Sequence, residues 1–148
     1  MLYVCPTPIG NLEDITLRVL RVLQTVDLIL AEDTRRTGQL LRHYNIARPV
    51  ESFHEHNERE KTERILEKLR EGREIALVCD AGMPGISDPG AFLMRAVIAA
   101  GLPLEVLPGA NAALLGYLQS GLVSTQFLFY GFLPSRRRER LAELEKLQ

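Results

Sequence analysis

Short apolar runs alternate along the chain with longer segments whose apolar residues recur every three or four positions. The runs are typical of buried β-strands, and the periodic segments are typical of amphipathic helices. Because each crossover between parallel strands must return the chain to the same edge, this alternation predicts an α/β fold with a five-stranded parallel sheet and helices on both faces. The predicted strands are residues 2–5, 26–31, 49–53, 74–78 and 104–107.

Several residues mark where the helices should begin and end. Asp14 suits the start of one helix, Asn57 the N-cap of another and Pro89 the first position of a third. Gly72 and Gly101 are expected to follow helix ends, where glycine is the favoured residue. The predicted helices are residues 15–23, 37–44, 60–71, 89–101 and 113–118.

The pattern changes after Gly121. Residues 126–133 carry four aromatic side chains and predict a further strand, and a basic helix is expected from residue 134 onward. Since alternate residues of a strand face opposite ways, at least one set of these aromatic side chains is expected in a core. The sequence therefore predicts an N-terminal α/β domain of residues 1–121, with residues 122–148 as the start of a truncated second domain.

The composition of the chain limits which partners it is expected to bind and where in the cell it is expected to be. The chain has 18 Lys and Arg against 19 Asp and Glu, so a site for a polyanion has to be local. No apolar run has the length of a membrane span and no leader is recognised, so the protein is expected to be cytoplasmic. Cys5 and Cys79 are expected to be free thiols, and the spacing of His43, His54 and His56 does not predict a metal site.

The most informative stretch is residues 78–90, which connects an apolar strand to a helix. Asp80 leaves the strand there, and Gly82, Gly85 and Gly90 keep side chains out of the loop. In open parallel sheets, ligands bind outside the carboxyl ends of the strands, so the loop is predicted to bind a ligand, with an ordinary connection as the alternative. Two other loops of small residues, 6–11 and 108–113, are expected at the same edge. None of the three loops has the spacing of a phosphate or dinucleotide motif.

Six motifs, in this order, cover essentially the whole chain. They are residues 6–11 (Pro-Thr-Pro-Ile-Gly-Asn), 31–35 (Ala-Glu-Asp-Thr-Arg), 54–58 (His-Glu-His-Asn-Glu), 80–84 (Asp-Ala-Gly-Met-Pro) with 87–90 (Ser-Asp-Pro-Gly), 107–109 (Leu-Pro-Gly) and 131–134 (Gly-Phe-Leu-Pro). Together they resemble the bacterial small-subunit ribosomal RNA methyltransferase I family of the tetrapyrrole methylase superfamily. The sequence departs from the usual family pattern at Met83, where Thr is usual, and at residues 108–111, where Pro-Gly-Pro-Ser is usual. Family members also continue for about as many residues again.

The resemblance implies an enzyme that transfers a methyl group from S-adenosylmethionine to the ribose 2′-hydroxyl of a cytidine in the decoding region of 16S rRNA. It also implies a cofactor cleft between two α/β domains, a small ribosomal subunit as the partner and a homodimer. Two alternatives remain open at this point. One is a methylase of a tetrapyrrole or another small acceptor, and the other is a cofactor- or RNA-binding fragment without turnover.

The same resemblance implies the cofactor-binding residues, which are Pro8, Ile9, Asp80, Gly82, Met83, Gly109, Asn111 and Ala112. The candidates for positioning or deprotonating the acceptor hydroxyl are Glu32 and Asp33 at the end of the second predicted strand, with His54 and His56 at the end of the third. The two carboxylates have the alternative of pairing with Arg35 and Arg36.

A cluster of arginines near the end of the chain is the one local concentration of positive charge. Arg136, Arg137 and Arg138 are candidates for contacts with the RNA backbone, because arginines beside phosphates give affinity that depends on salt. A solvated helix face is the alternative.

Overall fold

The computed structural model describes residues 1–147 and contains one sheet of parallel strands. Its order is β3-β2-β4-β1-β5, so the first and fourth strands are neighbours at its centre. The predicted five-stranded parallel sheet is confirmed. The strands are β1 (Leu2–Val4), β2 (Leu28–Ala31), β3 (Val50–Ser52), β4 (Ile75–Val78) and β5 (Leu104–Val106).

Helices cover both faces of this sheet, as the alternating pattern predicted. Every residue of β2 and β4 is buried, and their side chains alternate between two apolar clusters. The cluster on one face packs against α1 and α2, and the cluster on the other packs against α3 and α4. The helices are α1 (Leu17–Thr25), α2 (Thr34–His43), α3 (Glu58–Arg70), α4 (Ala91–Ala99), α5 (Ala112–Gln119) and α6 (Arg137–Glu145).

The helix starts expected at Asp14 and Pro89 are displaced, and α2 begins at Thr34 instead of residue 37. Asp14 lies in a short 3-10 turn, Leu12–Asp14, and α1 instead begins after Thr16, whose hydroxyl accepts the backbone N–H of Val19 at 3.1 Å. Pro89 precedes α4, because Gly90 occupies the N-cap. The first difference arises because the hydroxyl of Thr16 supplies the capping hydrogen bond of α1.

The end of α3 is as predicted. Gly72 has a φ of +84°, which glycine adopts without the strain that a Cβ brings. The N–H of Gly72 donates to the carbonyl of Leu69, and the N–H of Arg73 donates to the carbonyl of Lys68. This is the left-handed helix ending that glycine favours.

Residues 126–133 do not form the predicted strand. No strand of the sheet pairs with this segment, and a strand needs a partner for its backbone N–H and C=O groups. The expectation that one set of its aromatic side chains is buried is also wrong, because Phe127, Phe129, Tyr130 and Phe132 are all exposed. The ring of Phe127 stacks on Tyr117 of α5 instead, with ring centroids 5.3 Å apart.

All the strands lie within residues 1–121, and α6 follows with no buried residue. The basic helix expected after residue 134 is therefore present, whereas the division into domains at residue 121 stays a prediction. The last residue of the second predicted domain, Gln148, lies outside the described residues.

Both cysteines are buried free thiols. Cys5 belongs to the cluster under α1 and α2, whereas the sulfur of Cys79 lies 3.4 Å from the carbonyls of Ala81 and Gly82 in its own loop. The two thiols therefore lie in different surroundings although their strands are neighbours.

Candidate ligand site at the carboxyl edge of the sheet

Two of the three loops at the carboxyl edge are joined by backbone hydrogen bonds. Thr7 and Gly82 form an antiparallel bridge in which each N–H donates to the other residue's carbonyl at 2.9 Å. The buried hydroxyl of Thr7 also donates to the carbonyl of Cys79 at 3.0 Å. The loops after β1 and β4 are thus held as one unit at the centre of the sheet.

A cavity of about 270 Å³, here called the first cavity, opens beside this unit. Its size is near the lower end of the roughly 300–1,000 Å³ that small-molecule sites occupy. Its walls come from the loops after β1, β4 and β5 and from the segment before α6. The lining residues are Ile9, Ala81, Gly82, Met83, Ile86, Ser87, Asp88, Asn111, Ala112, Ala113, Phe129, Gly131 and Phe132.

The structure separates the eight cofactor-binding candidates into three groups. Ile9, Gly82, Met83, Asn111 and Ala112 line the first cavity. Pro8 and Asp80 line a neighbouring cavity instead, and Gly109 lines neither. A Cβ on Gly109 would lie 2.7 Å from the Cβ of Pro6, so this glycine allows two loops to pack closely.

Sequence reasoning missed two parts of the wall. Ser87 and Asp88 were part of a recognised motif but were not assigned to the ligand, and Ile86 was not considered. The strand predicted at residues 126–133 places at least one set of its aromatic side chains in a core, whereas Phe129 and Phe132 line the cavity. The sequence does contain a signal against a strand here, because the Gly-Phe-Leu-Pro motif of residues 131–134 interrupts the aromatic run with a glycine and a proline.

Gly82 is required at its position by backbone conformation and by space. Its φ is +81°, and a Cβ there would lie 3.2 Å from the Cδ1 of Ile9 across the cavity wall. A side chain at residue 82 would therefore both strain the loop and narrow the first cavity.

The neighbouring cavity, here called the second cavity, measures about 290 Å³ and lies between α2 and the same two loops. Both cavities are lined by the segments 7–9 and 79–82. Residues 7, 8, 79 and 80 line the second cavity, and residues 9, 81 and 82 line the first. Its lining residues are Thr7, Pro8, Leu12, Arg36, Thr37, Gln39, Leu40, Cys79 and Asp80.

Asp80 links the ends of β2 and β4. One of its carboxylate oxygens accepts the backbone N–H of Asp33 at 3.2 Å, and the other pairs with Arg36 at 3.1 Å. Arg36 therefore pairs with Asp80. The alternative in which Arg36 pairs with Glu32 or Asp33 is wrong.

Asp33 has a structural role that is visible in its contacts. It is the N-cap of α2, where its Oδ1 accepts the backbone N–H of Arg35 at 2.8 Å. Its carboxylate also takes two hydrogen bonds from the guanidinium of Arg35, at 3.1 and 2.8 Å. These contacts hold the pKa of Asp33 well below its usual range, which makes it a weak base.

Glu32 has the opposite electrostatics. Its partial burial, with the nearby charges of Asp80 and Asp88, raises the pKa of its carboxyl above the ordinary value. Burial and the charge of Asp80 also raise the pKa of Asp88. Asp80 lines the second cavity and Asp88 lines the first, whereas Glu32 itself lines neither cavity.

His54 is held by Asn57. The Oδ1 of Asn57 accepts the backbone N–H of His54 at 2.9 Å, and its Nδ2 lies 3.0 Å from the His54 Nε2. Asn57 occupies the predicted N-cap of α3 but makes no side-chain capping bond there. The imidazole of His54 lines neither cavity, and its buried Nδ1 has no hydrogen-bond partner among residues 1–147.

The same motif contacts the end of the 78–90 loop through Glu58. The Oε2 of Glu58, at the start of α3, accepts the backbone N–H of Gly90 at 3.1 Å. The guanidinium of Arg59 lies over the ring of Phe92 at 5.6 Å from its centroid. These two contacts anchor the end of the 78–90 loop to α3.

The arginine cluster lies on the exposed start of α6. Arg136 occupies the N-cap and pairs with Glu139 at 3.3 Å, and its side chain is 82% exposed. Arg137 and Arg138 are also exposed and form no ion pair within the part of the chain that the structure describes.

Comparison with known families decides what kind of domain this site belongs to. All of residues 1–148 match the family described as Tetrapyrrole (Corrin/Porphyrin) Methylases. The chain belongs to this family. The resemblance found in the sequence motifs is thereby confirmed.

Two curated relatives of this tetrapyrrole methylase chain carry the same name. It is 48% identical over 147 residues to the ribosomal RNA small subunit methyltransferase I of Pasteurella multocida (strain Pm70), which covers 99% of this chain and 52% of that protein. It is 49% identical over 148 residues to the ribosomal RNA small subunit methyltransferase I of Bacillus subtilis (strain 168), which covers 100% of this chain and 51% of that protein. The chain thus spans about half the length of the curated relatives that it matches.

A solved structure has the same fold. The uroporphyrin-III-C-methyltransferase from Thermus thermophilus superposes with a TM-score of 0.61 and 28% identity, over 84% of this chain and 53% of that one. The parallel sheet described above is therefore the fold of the tetrapyrrole methylases.

Two further properties of the structure bear on membranes and metals. Within residues 1–147, no helix is long and apolar enough to cross a membrane. The same residues contain no group of three or more His, Cys, Asp or Glu side chains arranged to hold a metal ion. The carboxyl groups of Glu32, Asp80 and Asp88 therefore interact through their charges without forming a metal-like cluster.

Proposed function

We propose that this chain is the cofactor-binding part of an S-adenosylmethionine-dependent methyltransferase that acts on the ribose 2′-hydroxyl of a cytidine in 16S rRNA. The first cavity is the single observation that carries the proposal, because five of the residues implied as cofactor contacts line it together. The identity of about half of all residues to ribosomal RNA small subunit methyltransferase I relatives supports the acceptor class.

The residues of the first cavity fit S-adenosylmethionine by their chemistry. Ile9, Met83 and Phe129 offer apolar surface for an adenine ring, and Asn111 offers an amide for polar groups. Gly82 allows the ligand to approach the backbone closely. The carboxylates of Asp88, Asp80 and Glu32 favour a cofactor that carries a positive sulfonium, because a nearby cation relieves the repulsion between carboxylates.

S-adenosylmethionine supplies a methyl group on a sulfonium, which an alcohol oxygen takes by in-line displacement. The protein's part is to align that oxygen and to accept its proton. We assign the role of proton acceptor to Glu32, because its raised pKa makes it a stronger base than Asp33 and the charges that contribute to this shift belong to Asp80 and Asp88, which line the two cavities. His54 is the weaker candidate, because its Nε2 lies against the amide of Asn57 and its Nδ1 is buried.

The remaining assignments complete the proposal. Arg136, Arg137 and Arg138 contact the RNA backbone from the exposed start of α6, and the active form is a homodimer that works on the small ribosomal subunit. Residues 122–148 then belong to the second of two domains that close over the cofactor.

The test is transfer of labelled methyl from S-adenosylmethionine to 16S rRNA, either naked or in small subunits. Digestion to nucleosides should place the label in 2′-O-methylcytidine. Label on a base, or no label with cofactor still bound in calorimetry, would reject the proposed acceptor.

A tetrapyrrole acceptor is the second candidate, because the chain is 28% identical to a uroporphyrin-III-C-methyltransferase of the same fold. A parallel incubation with a reduced uroporphyrin tests it. Methylation of the tetrapyrrole but not of the RNA would favour this candidate.

A further inference from the structure

The second cavity has no part in holding the cofactor under the proposed function, yet it adjoins the first cavity at the centre of the sheet. Its floor is buried, since Thr7, Thr37 and Cys79 are among its buried lining residues. Its rim is exposed and is formed by Leu12, Arg36 and Gln39. A site with a closed floor and an open rim can receive a group from outside.

The position of this cavity suits the acceptor of a transfer reaction. It takes part of its lining from the loops at residues 7–9 and 79–82, as the first cavity does, so groups held in the two cavities are neighbours at the same edge of the sheet. Asp80 in its wall contributes to the electrostatic field at Glu32, the proposed base.

The chemistry of the lining suits a nucleoside. Pro8, Leu12 and Leu40 offer apolar surface for the face of a base, and the Gln39 amide carries both a donor and an acceptor for the base's edge. Arg36 supplies a guanidinium, 66% exposed, within reach of a phosphate beside the base. A volume of about 290 Å³ suits one base and sugar.

A tetrapyrrole fits these features less well. The macrocycle of a uroporphyrin is several times larger than a nucleoside and carries many carboxylates, whereas Arg36 is the one cationic side chain in the lining. Enzymes that modify single nucleotides in RNA commonly take the base out of its stack into a pocket, where its edge is read by hydrogen bonds.

We propose that the second cavity binds the target nucleoside of the RNA acceptor, with Gln39 reading the edge of the cytosine and Arg36 contacting the adjacent phosphate. This inference rests on the proposed function. The bound hydroxyl then loses its proton to Glu32 as its oxygen forms the new bond to the methyl carbon, and the bond from that carbon to sulfur breaks with its electron pair left on sulfur.

Gln39→Ala tests the cavity, with Gln24→Ala as the matched control. Gln24 is an exposed glutamine near the end of α1 and lines neither cavity. Loss of a base contact is expected to lower kcat/KM for 16S rRNA roughly 5- to 100-fold, the range for one base-specific pair. The affinity for S-adenosylmethionine should stay unchanged in calorimetry. A kcat/KM within twofold of wild type would overturn the proposal while leaving the proposed function intact.

A binding measurement distinguishes failure of this inference from failure of the proposed function. Short single-stranded RNAs that differ only by cytidine or uridine at the target position are titrated into protein saturated with S-adenosylhomocysteine. Wild type and Gln24→Ala should prefer cytidine, and Gln39→Ala should lose the preference, a change that simple destabilisation would not produce. If the wild type shows no preference, or if Gln39→Ala keeps it, the assignment of Gln39 is overturned whether or not methyl transfer is observed.

Discussion

The carboxylate of Asp80 accepts the backbone N–H of Asp33 at 3.2 Å and so connects the ends of β4 and β2. The contact brings the Ala-Glu-Asp-Thr-Arg motif beside the glycine-rich loop, although the two are 47 residues apart in the chain. It also places the two carboxylates of residues 32 and 33 in different environments. Asp33 caps α2 and pairs with Arg35, whereas Glu32 lies near Asp80 and Asp88.

Turnover should depend on Glu32 and on pH. Glu32→Gln is expected to lower kcat by roughly 10²–10⁴-fold, the usual contribution of a positioned base, with cofactor and RNA still bound. Since Glu32 must be ionised to accept a proton, kcat of the wild type should fall as the pH drops through its raised pKa. Asp80→Asn removes one cause of the elevation, so the acidic limb of the kcat profile should move to lower pH. A limb that does not move, or full activity in Glu32→Gln, would remove Glu32 from the reaction.

Stability should respond in opposite ways to the two neighbouring carboxylates. Ionised Glu32 is disfavoured in the fold at neutral pH, so Glu32→Gln should raise the melting temperature there. The gain should disappear well below the ordinary pKa of 4.5, where the carboxyl is protonated in both states. Asp33→Ala should lower the melting temperature through loss of the α2 cap, and Asp33→Asn should recover part of it, because Asn is also a good cap. Equal melting curves for all three variants would contradict these assignments.

Gly82 should matter for the ligand as well as for the fold. Gly82→Ala is expected to cost about 1–2 kcal/mol in stability, because a Cβ disfavours the left-handed region. It should also weaken S-adenosylmethionine binding, since the new methyl narrows the first cavity near Ile9. Gly72→Ala is the control, because Gly72 has the same sign of φ at +84° but open space around it. Similar cofactor affinity in the two variants would place the ligand elsewhere.

The arginines of α6 should determine how RNA affinity depends on salt. Replacing Arg136, Arg137 and Arg138 with Ala should raise KM for 16S rRNA and weaken its dependence on salt. Each lost phosphate contact should reduce the slope of log affinity against log salt concentration by roughly 0.7–0.9. Cofactor affinity should not change. Arg21→Ala, at an exposed position on α1, provides the control. An unchanged slope in the triple variant would mean that the cluster is only a solvated helix face.

The two thiols should be present but slow to react in the folded protein. Burial, aided by the charge of Glu105 for Cys5 and of Asp88 for Cys79, raises the pKa of each thiol to about 12. A thiol reagent near neutral pH should therefore find few thiolates in the native protein and count two thiols after denaturation without reductant. A count of zero after denaturation would contradict the free state of both cysteines.

Local patterns in the sequence determined the class of fold and the position of the ligand edge. Period-two and period-3.6 arrangements of apolar residues depend only on neighbours a few positions apart, so the strands and helices of residues 1–121 were predictable, including the end of α3 at Gly72. The order of strands in an alternating α/β chain then brings the strand ends to one edge, which placed Ile9, Gly82 and Asn111 around a common site.

Only the tertiary structure decided how the carboxylates differ and where each loop residue lies. Glu32 and Asp33 are adjacent in the chain, and their pKa values move in opposite directions because Glu32 is partly buried near the charge of Asp80, whereas Asp33 accepts hydrogen bonds from Arg35. Asp80 and Pro8 line a second cavity because Thr7 and Gly82 pair across the loops, a contact that spacing in the sequence does not reveal. The strand predicted at residues 126–133 does not form because no strand of the sheet pairs with this segment, and a strand needs a partner for its backbone hydrogen bonds.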